Sequence, residues 1–116
     1  MSHSDDFLRL AGAAKSRIKE IQPADLSKHT SSTTLLLDVR DKEEFDQGHL
    51  EGATHLSRGK LEMRIHEVAP DKSAPIVVYC AGGNRGALAA DTLQQLGYMD
   101  VVSICGGLNA VKQAKD

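Results

Sequence analysis

The sequence contains no tryptophan, and only 3% of its 116 residues are aromatic. Its core must therefore be built mainly from leucine, valine, isoleucine and alanine, and a base-stacking nucleic-acid binder is disfavoured because it needs aromatic platforms. The net charge of −2 supplies no basic footprint for DNA, RNA or anionic lipid. Hydrophobic residues make up 41% of the chain and charged residues 26%, a balance that predicts one packed domain rather than a disordered segment.

Cysteine occurs only twice, as Cys80 and Cys105, which excludes a disulfide-dense secreted scaffold. Neither cysteine lies in a Cys-x-x-Cys pair, so zinc-ribbon and thioredoxin-type sites have no support. No metal-ligand spacing relates the histidines His3, His29, His55 and His66. The glycine patterns of nucleotide-binding loops are also missing. We therefore predict a protein without a metal and without an organic cofactor.

Long hydrophobic runs are missing as well. The longest wholly apolar run covers residues 76–81, far short of the roughly 20 residues that a membrane helix needs. The first residues are polar and acidic, without the basic and apolar parts of a signal peptide. We expect a cytoplasmic protein with no membrane partner, in which both thiols stay reduced.

What the sequence does contain is an alternation of short aliphatic runs with segments of helical spacing. The predicted strands span residues 34–39, 53–56, 76–79 and 101–104. The predicted helices span residues 4–20, 24–29, 41–46, 60–68, 85–96 and 108–114. Strands that alternate with helices in this way predict an α/β domain with a mostly parallel sheet.

The most informative stretch runs from Ile76 to Arg85. A buried strand ends in Cys80, a loop with Gly82 and Gly83 follows, and a helix then begins. In open α/β sheets, ligands bind beyond the carboxyl ends of strands, which is where Cys80 falls. Glycine tolerates the backbone angles that point successive N–H groups inward, and the helix start adds further donors and partial positive charge. These groups predict an anion cradle around the Cys80 sulfur.

Such a cradle favours the thiolate, which is the nucleophilic form of cysteine. The same donors can hold a persulfide or the oxyanion end of thiosulfate, so the pattern suits the transfer of a sulfane sulfur through a covalent intermediate. A lone cysteine at a strand end is more often an inert, buried residue. The glycine loop and Arg85 favour the functional interpretation, since inert packing does not require them.

The loop Cys80-x-x-Gly83-x-Arg85 resembles the active-site loop of the rhodanese superfamily, the sulfurtransferases. Further landmarks of the family occur in the same order. They are Leu36-Leu37-Asp38-Val39-Arg40, Glu44-Phe45, Gly48-His49-Leu50-x-Gly52-Ala53, Leu96-Gly97-Tyr98, Val101-Val102 and Gly106-Gly107. The stretch from Leu56 to Glu62 is similar to small single-domain bacterial members. Two positions depart from the pattern, since Leu108 stands where many relatives have tryptophan and Gly86 where Ser or Thr is common.

The resemblance implies a rhodanese-like fold with a five-stranded parallel sheet flanked by helices on both faces. It implies that Cys80 is the persulfide-carrying nucleophile of a thiosulfate sulfurtransferase. The substrate and persulfide cradle would comprise Ala81, Gly82, Gly83, Asn84, Arg85 and Gly86. Asp38 and Arg40 would give structural support to the loop after their strand. We divide the chain into an N-terminal helical extension, residues 1–20, which could pack on the core, and a rhodanese-like domain, residues 21–116.

Three further residues have both a functional and a structural interpretation. Arg58 is a candidate second cation for thiosulfate, or else a solvated surface residue. Cys105 is a candidate resolving thiol for Cys80, although a tolerated small residue is favoured. His49 lies in a family landmark and is interpreted as structural. The acidic pair Glu43-Glu44 is interpreted as surface charge on a helix.

The leading function is transfer of sulfane sulfur from thiosulfate or a related donor, through a Cys80 persulfide, to cyanide or a thiol acceptor. One alternative is a persulfide-relay or protein-interaction module loaded by a partner protein, which would use the same residues. Another is a cysteine phosphatase or arsenate reductase. Those enzymes place five residues between cysteine and arginine, whereas only four separate Cys80 from Arg85. The shorter loop favours a single sulfur over a tetrahedral oxyanion.

Overall fold

A computed structural model describes residues 3–115 of the chain. Five parallel strands form one sheet in the order β1-β5-β4-β2-β3. The strands are β1 (Lys19–Ile21), β2 (Leu35–Asp38), β3 (Thr54–His55), β4 (Ile76–Tyr79) and β5 (Val101–Ile104). The helices are α1 (Asp5–Lys15), α2 (Leu26–His29), α3 (Lys42–Asp46), α4 (Leu61–Val68), α5 (Asn84–Gln95) and α6 (Gly107–Lys115). The predicted fold class is confirmed.

The two faces of the sheet carry separate apolar layers, because successive side chains of a strand point to opposite sides. On one face, Ile76 and Val78 of β4 share a cluster with the buried side chains of α4 and α5, such as Leu61 and Leu93. On the other face, Val77 of β4 shares a cluster with the α6 side chains Leu108 and Val111 and with α2. Helices therefore cover both faces.

The strand order creates a crevice at the carboxyl edge of the sheet. From β2 the chain continues to β3 on one side, whereas from β4 it continues to β5 on the other. The connections leaving β2 and β4 therefore diverge, and the carboxyl ends of two such strands form the usual ligand site of an open α/β sheet. Here α3 follows β2, and the Cys80 loop with α5 follows β4.

The first strand was missed in the sequence. The helix predicted over residues 4–20 ends at Lys15, and Lys19–Ile21 instead pair in parallel with Val102–Ile104 at the sheet edge. The predicted boundary between residues 20 and 21 therefore falls within β1. Pairing with β5 outweighs the helical spacing, because the backbone groups along the β5 edge need partners. The Cys105 N–H, for example, donates to the Ile21 carbonyl at 2.8 Å.

Helix α1 packs directly on α5. Ala11 and Ala14 are fully buried, and small side chains of this kind let two helices lie close together. Just beyond α1, the Arg17 guanidinium donates to both carboxylate oxygens of Asp91 on α5, at 3.0 and 2.7 Å. This pairing holds the pKa of the Asp91 carboxyl below its usual range. Residues 3–21 are thus attached to the sheet and to α5.

No helix within residues 3–115 is long and apolar enough to cross a membrane.

Candidate active site

Cys80 lies immediately after β4, with its side chain 1% exposed at the carboxyl edge of the sheet. The backbone N–H of Gly83 donates to the Cys80 Sγ at 3.1 Å. Gly83 has φ +104°, an angle that favours glycine, and α5 begins at the next residue. The predicted turn of the loop around the sulfur is therefore present, with one N–H group in hydrogen-bonding contact with the sulfur.

The start of α6 holds the other side of this loop. The N–H groups of Leu108 and Asn109 donate to the carbonyl oxygens of Cys80 and Ala81, at 2.8 and 3.0 Å. Gly107 has φ +63°, and a Cβ atom at this position would collide with both of these carbonyl oxygens. The Gly106-Gly107 landmark is therefore required for the close approach of α6 to the Cys80 loop.

Gly86 lies behind the loop, in the first turn of α5. A Cβ atom here would approach the Ser103 Oγ to 3.2 Å and the Cys80 backbone nitrogen to 3.4 Å. The missing side chain therefore lets α5 lie close against β4 and β5. Many relatives carry a Ser or Thr hydroxyl at the position of Gly86. In this chain the buried Ser103 hydroxyl of β5 lies next to that position.

Arg85 forms a two-pronged ion pair with Glu44 of α3. Its Nη1 and Nη2 atoms donate to the two carboxylate oxygens of Glu44 at 2.7 and 3.0 Å, and both side chains are about one third exposed. Hydrogen bonding from Arg85 lowers the pKa of Glu44 to about 2, and the same contact raises the pKa of Arg85. The interpretation of Glu44 as mere surface charge is wrong: it is the partner of the loop arginine.

A cavity of about 600 Å³ opens above this loop. We call it the Cys80 pocket, and it is lined by His3, Phe7, Asp41, Glu44, Cys80, Ala81, Gly82, Asn84, Arg85 and Asn109. The lining comes from the segments after β2 and β4, from α6, and from the N-terminal turn of α1. The structure thus brings five of the six predicted cradle residues to Cys80, either along the pocket or, for Gly83, at the sulfur itself. The sixth, Gly86, packs behind the loop.

The segment after β2 carries a second acid–arginine pair. Asp38 is fully buried and accepts hydrogen bonds from the Arg40 backbone N–H and from the Arg40 Nε and Nη2 atoms, at 2.7 to 3.0 Å. Arg40 also donates to the Gly48 carbonyl oxygen at 2.7 Å. This pair ties the end of β2 to the segment after α3, which is the geometry of structural support.

Arg58 lies away from the Cys80 pocket. Its Nη1 donates to Glu62 of α4 and its Nη2 to the Thr92 hydroxyl of α5, each at 3.0 Å. The guanidinium thus joins α4 to α5, and it does not line the pocket where a second cation for thiosulfate would be needed. The short segment after β3 turns into α4 before it reaches Cys80, which explains this placement.

Cys105 follows β5, the strand next to β4. Val78 pairs with Ser103, so continuing this register by two residues places Cys105 level with Cys80. The Cys105 thiol is free and half-buried, and it does not line the Cys80 pocket. Its role as a resolving thiol remains a prediction.

Sequence reasoning missed four residues of the pocket besides Glu44: His3, Phe7, Asp41 and Asn109. Asp41 follows the Asp-Val-Arg landmark after β2, so strand-end position was a usable signal for it, whereas Asn109 lies inside α6, two residues after the Gly106-Gly107 landmark. His3 and Phe7 had no local signal, because their place depends on the packing of α1 against α5. Within the part of the chain that the structure describes, no cluster of three potential metal ligands occurs.

Comparison with known proteins agrees with this geometry. The model of the rhodanese-like domain family matches residues 22–114. The thiosulfate sulfurtransferase GlpE of Ectopseudomonas mendocina is 34% identical over 92 residues, which cover 79% of this chain and 83% of that protein. The chain therefore belongs to the rhodanese-like domain family, and its relatives include proteins named as thiosulfate sulfurtransferases.

Two solved structures resemble almost the whole chain. A Rhodopseudomonas palustris protein of unknown function, described as a possible tyrosine phosphatase, is 31% identical with a TM-score of 0.86, over 99% of this chain and 95% of that one. The polysulfide-sulfur transferase homodimer of Wolinella succinogenes is 30% identical with a TM-score of 0.77, over 95% of this chain and 84% of that one. Both similarities extend beyond the stretch that the family model matches.

Proposed function

We propose that this chain is a sulfurtransferase that carries a sulfane sulfur on Cys80. The observation that carries the proposal is the hydrogen bond from the Gly83 N–H to the Cys80 Sγ. Cys80 lines an open pocket together with Arg85. A hydrogen-bond donor at the sulfur stabilises negative charge there, both on a thiolate and on the persulfide formed from it. The relatives named as thiosulfate sulfurtransferases give the proposal independent support.

In the first half-reaction, the Cys80 thiolate attacks the outer sulfur of thiosulfate. A new sulfur–sulfur bond forms to Cys80, the sulfur–sulfur bond within thiosulfate breaks, and its electron pair leaves with sulfite. The persulfide keeps one negative charge on its outer sulfur. Arg85 provides positive potential beside this reaction, and Glu44 fixes the position of its guanidinium.

In the second half-reaction, an acceptor attacks the outer sulfur of the persulfide. Cyanide takes this sulfur to become thiocyanate, and a thiolate takes it to become a new persulfide. The bond to Cys80 breaks, its electron pair returns to Cys80, and the thiolate is restored. No net oxidant or reductant is consumed.

The direct test is steady-state transfer from thiosulfate to cyanide. We expect parallel lines in double-reciprocal plots, the pattern of a covalent two-step reaction, and complete loss of turnover in Cys80→Ser. The variant Cys105→Ser separates the two thiols: retained turnover assigns the chemistry to Cys80 alone. An active Cys80→Ser variant would overturn the proposal.

A phosphatase is the second candidate, favoured by the description of the Rhodopseudomonas palustris protein. The length of the Cys80 loop opposes it. Only four residues separate Cys80 from Arg85, one fewer than in those enzymes, so the loop is better matched to a single sulfur than to a tetrahedral oxyanion. We therefore expect no Cys80-dependent hydrolysis of p-nitrophenyl phosphate under conditions in which sulfur transfer is measurable.

A further inference from the structure

The N-terminal turn of α1 forms one wall of the Cys80 pocket. His3 and Phe7 both line this pocket, and their rings lie 4.8 Å apart. Ser4 begins the helix, and its hydroxyl accepts a hydrogen bond from the Phe7 N–H at 3.1 Å, which fixes the backbone at Phe7. Phe7 thus shares a pocket with the almost fully buried Cys80.

This wall is anchored to the rest of the protein. Ala11 and Ala14 pack on α5, and the Lys15 ammonium donates to the Asn84 side-chain oxygen at 3.0 Å. Asn84 itself lines the pocket and begins α5. The position of Phe7 relative to Cys80 is thus set by contacts of the second half of α1 with α5.

Helix α1, which forms this wall of the pocket, lies outside the part of the chain that contains Cys80 and its loop. The family model matches residues 22–114, which contain Cys80, its loop, Arg85 and Glu44. Helix α1 lies before that match. Its contribution to the pocket therefore concerns what enters the pocket rather than how sulfur is carried.

The size and lining of the pocket indicate what enters. A volume of about 600 Å³ exceeds what thiosulfate or cyanide needs and lies in the range of sites for organic ligands, about 300–1,000 Å³. Glu44 is paired with Arg85. Asp41 lines the pocket and the Lys15 ammonium is bonded to one of its lining residues, so charges of both signs surround the pocket. Charge alone therefore does not select the acceptor. The aromatic ring of Phe7 offers an apolar contact instead.

We propose that Phe7 is a specificity-determining residue that binds the apolar body of an organic thiol, the acceptor of the Cys80 sulfur. The acceptor role rests on the function proposed above. The recognition of an apolar group next to Cys80 does not depend on it. Phe7 selects the acceptor by contact, whereas the sulfur transfer itself takes place at Cys80.

The test uses alkylation of Cys80, which needs only the thiol and its pocket. Two reagents are compared: iodoacetamide and N-benzyl-iodoacetamide. Peptide mass spectrometry measures the alkylation rate at Cys80 separately from that at Cys105, and each rate is divided by the rate of the same reagent with N-acetylcysteine. We expect Cys80 to react faster with the benzyl reagent than with iodoacetamide. Phe7→Ala should reduce the benzyl preference about fivefold, the loss expected for one aromatic contact.

Two further variants serve as controls. Leu8→Ala alters the next residue of α1, a side chain that is 46% exposed and does not line the pocket, so the benzyl preference should stay within twofold of the native value. Phe7→Leu keeps an apolar side chain and should retain part of the preference. An unchanged preference in Phe7→Ala, or an equal loss in Leu8→Ala, would overturn the proposal.

The same variants are then assayed in turnover, with sulfite release from thiosulfate as the common readout. For Phe7→Ala we expect the ratio of kcat/KM with phenylmethanethiol to kcat/KM with cyanide to fall about fivefold. Equal losses with both acceptors would contradict a specificity role. A chain that shows the benzyl preference but no transfer from thiosulfate would retain the apolar subsite and would refute thiosulfate as the sulfur donor.

Discussion

Two neighbouring corners of the sheet each carry a carboxylate–arginine pair, but they differ in burial. After β2, the side chains of Asp38 and Arg40 are 0% and 7% exposed. After β4, Arg85 reaches across to Glu44, and these side chains are 31% and 34% exposed. The first pair joins residues two apart in sequence, and the second joins two different helices at an open pocket. The buried pair connects the end of β2 to the Gly48 carbonyl oxygen, and the open pair places charge where chemistry is proposed.

The energetic consequence of this difference follows from solvation. A buried charge whose partner is removed stays buried and unpaired, which costs about 3–5 kcal/mol. A partly exposed charge returns to water when its partner is lost, and such pairs contribute about 0–1 kcal/mol. Mutation of the buried pair should therefore lower the free energy of unfolding. Mutation of the open pair should instead change the kinetics of the reaction at Cys80.

The largest expected effect is that of Asp38→Ala. Arg40 would lose the acceptor of its backbone N–H, Nε and Nη2 groups while remaining buried. We expect the free energy of unfolding to fall by about 3 kcal/mol in urea titrations. The double variant Asp38→Ala/Arg40→Ala should recover part of this loss, because it removes the unpaired charge. A loss below about 1 kcal/mol would contradict the structural role assigned to the pair.

The next effect concerns the backbone beneath the open corner. Gly107 has φ +63°, an angle that alanine rarely adopts. Gly107→Ala also introduces a Cβ atom that collides with the carbonyl oxygens of Cys80 and Ala81. We expect the rate of persulfide formation from thiosulfate to fall at least tenfold, since misplacement of a reacting group by about 1 Å can cost about a hundredfold. Gly59→Ala is the matched control, because a Cβ atom there meets nothing within 4 Å. Equal rates in both variants would show that the Cys80 loop tolerates displacement by α6.

Glu44→Gln tests the open pair itself. Removal of this carboxylate charge leaves Arg85 less compensated beside the pocket. We expect the KM for thiosulfate, a dianion, to fall about threefold at low ionic strength and the difference to shrink in salt. The free energy of unfolding should change by less than about 1 kcal/mol. A higher KM would mean that the position of Arg85 matters more than its net charge.

The pH dependence of stability gives a smaller signal from the same pair. The folded-state pKa of Glu44 is lowered from 4.5 to about 2, mainly by hydrogen bonding from Arg85. Its contribution is therefore fully present above the unfolded-state pKa and is lost as the pH falls from about 4.5 through about 2. The free energies of unfolding of the native chain and Glu44→Gln, measured by urea titration, should differ by a constant amount at neutral pH. This difference should disappear as the pH falls through the same window. A difference that stays constant throughout would contradict the lowered pKa.

Much of the fold could be predicted because its central elements have strong local signals. β4 and β5 match their predicted bounds, since both are short runs rich in valine and isoleucine that are buried at every position. α5 is displaced by one residue only. β1 was missed because it is three residues long, contains Lys19 and Glu20, and exists only through pairing with β5.

The geometry of the Cys80 loop was predictable for the same reason. Cys80 and its glycine loop are contiguous in sequence, so the turn of the loop around the sulfur could be inferred locally. Contacts between distant segments could not be inferred in this way. Glu44 meets Arg85 across 41 residues, and Phe7 reaches the pocket only because α1 packs on α5. Arg58 was a candidate pocket cation, and the contacts that direct it towards α4 and α5 were equally invisible.

The most direct test of the central claim is the intact mass of the purified protein after treatment with thiosulfate, beside the Cys80→Ser variant. We predict that the native chain gains the mass of one sulfur atom, that cyanide or excess thiol removes it, and that Cys80→Ser gains nothing. No gain on the native chain would contradict sulfur loading from thiosulfate. A gain only from a persulfidated donor protein would instead identify a relay loaded by a partner.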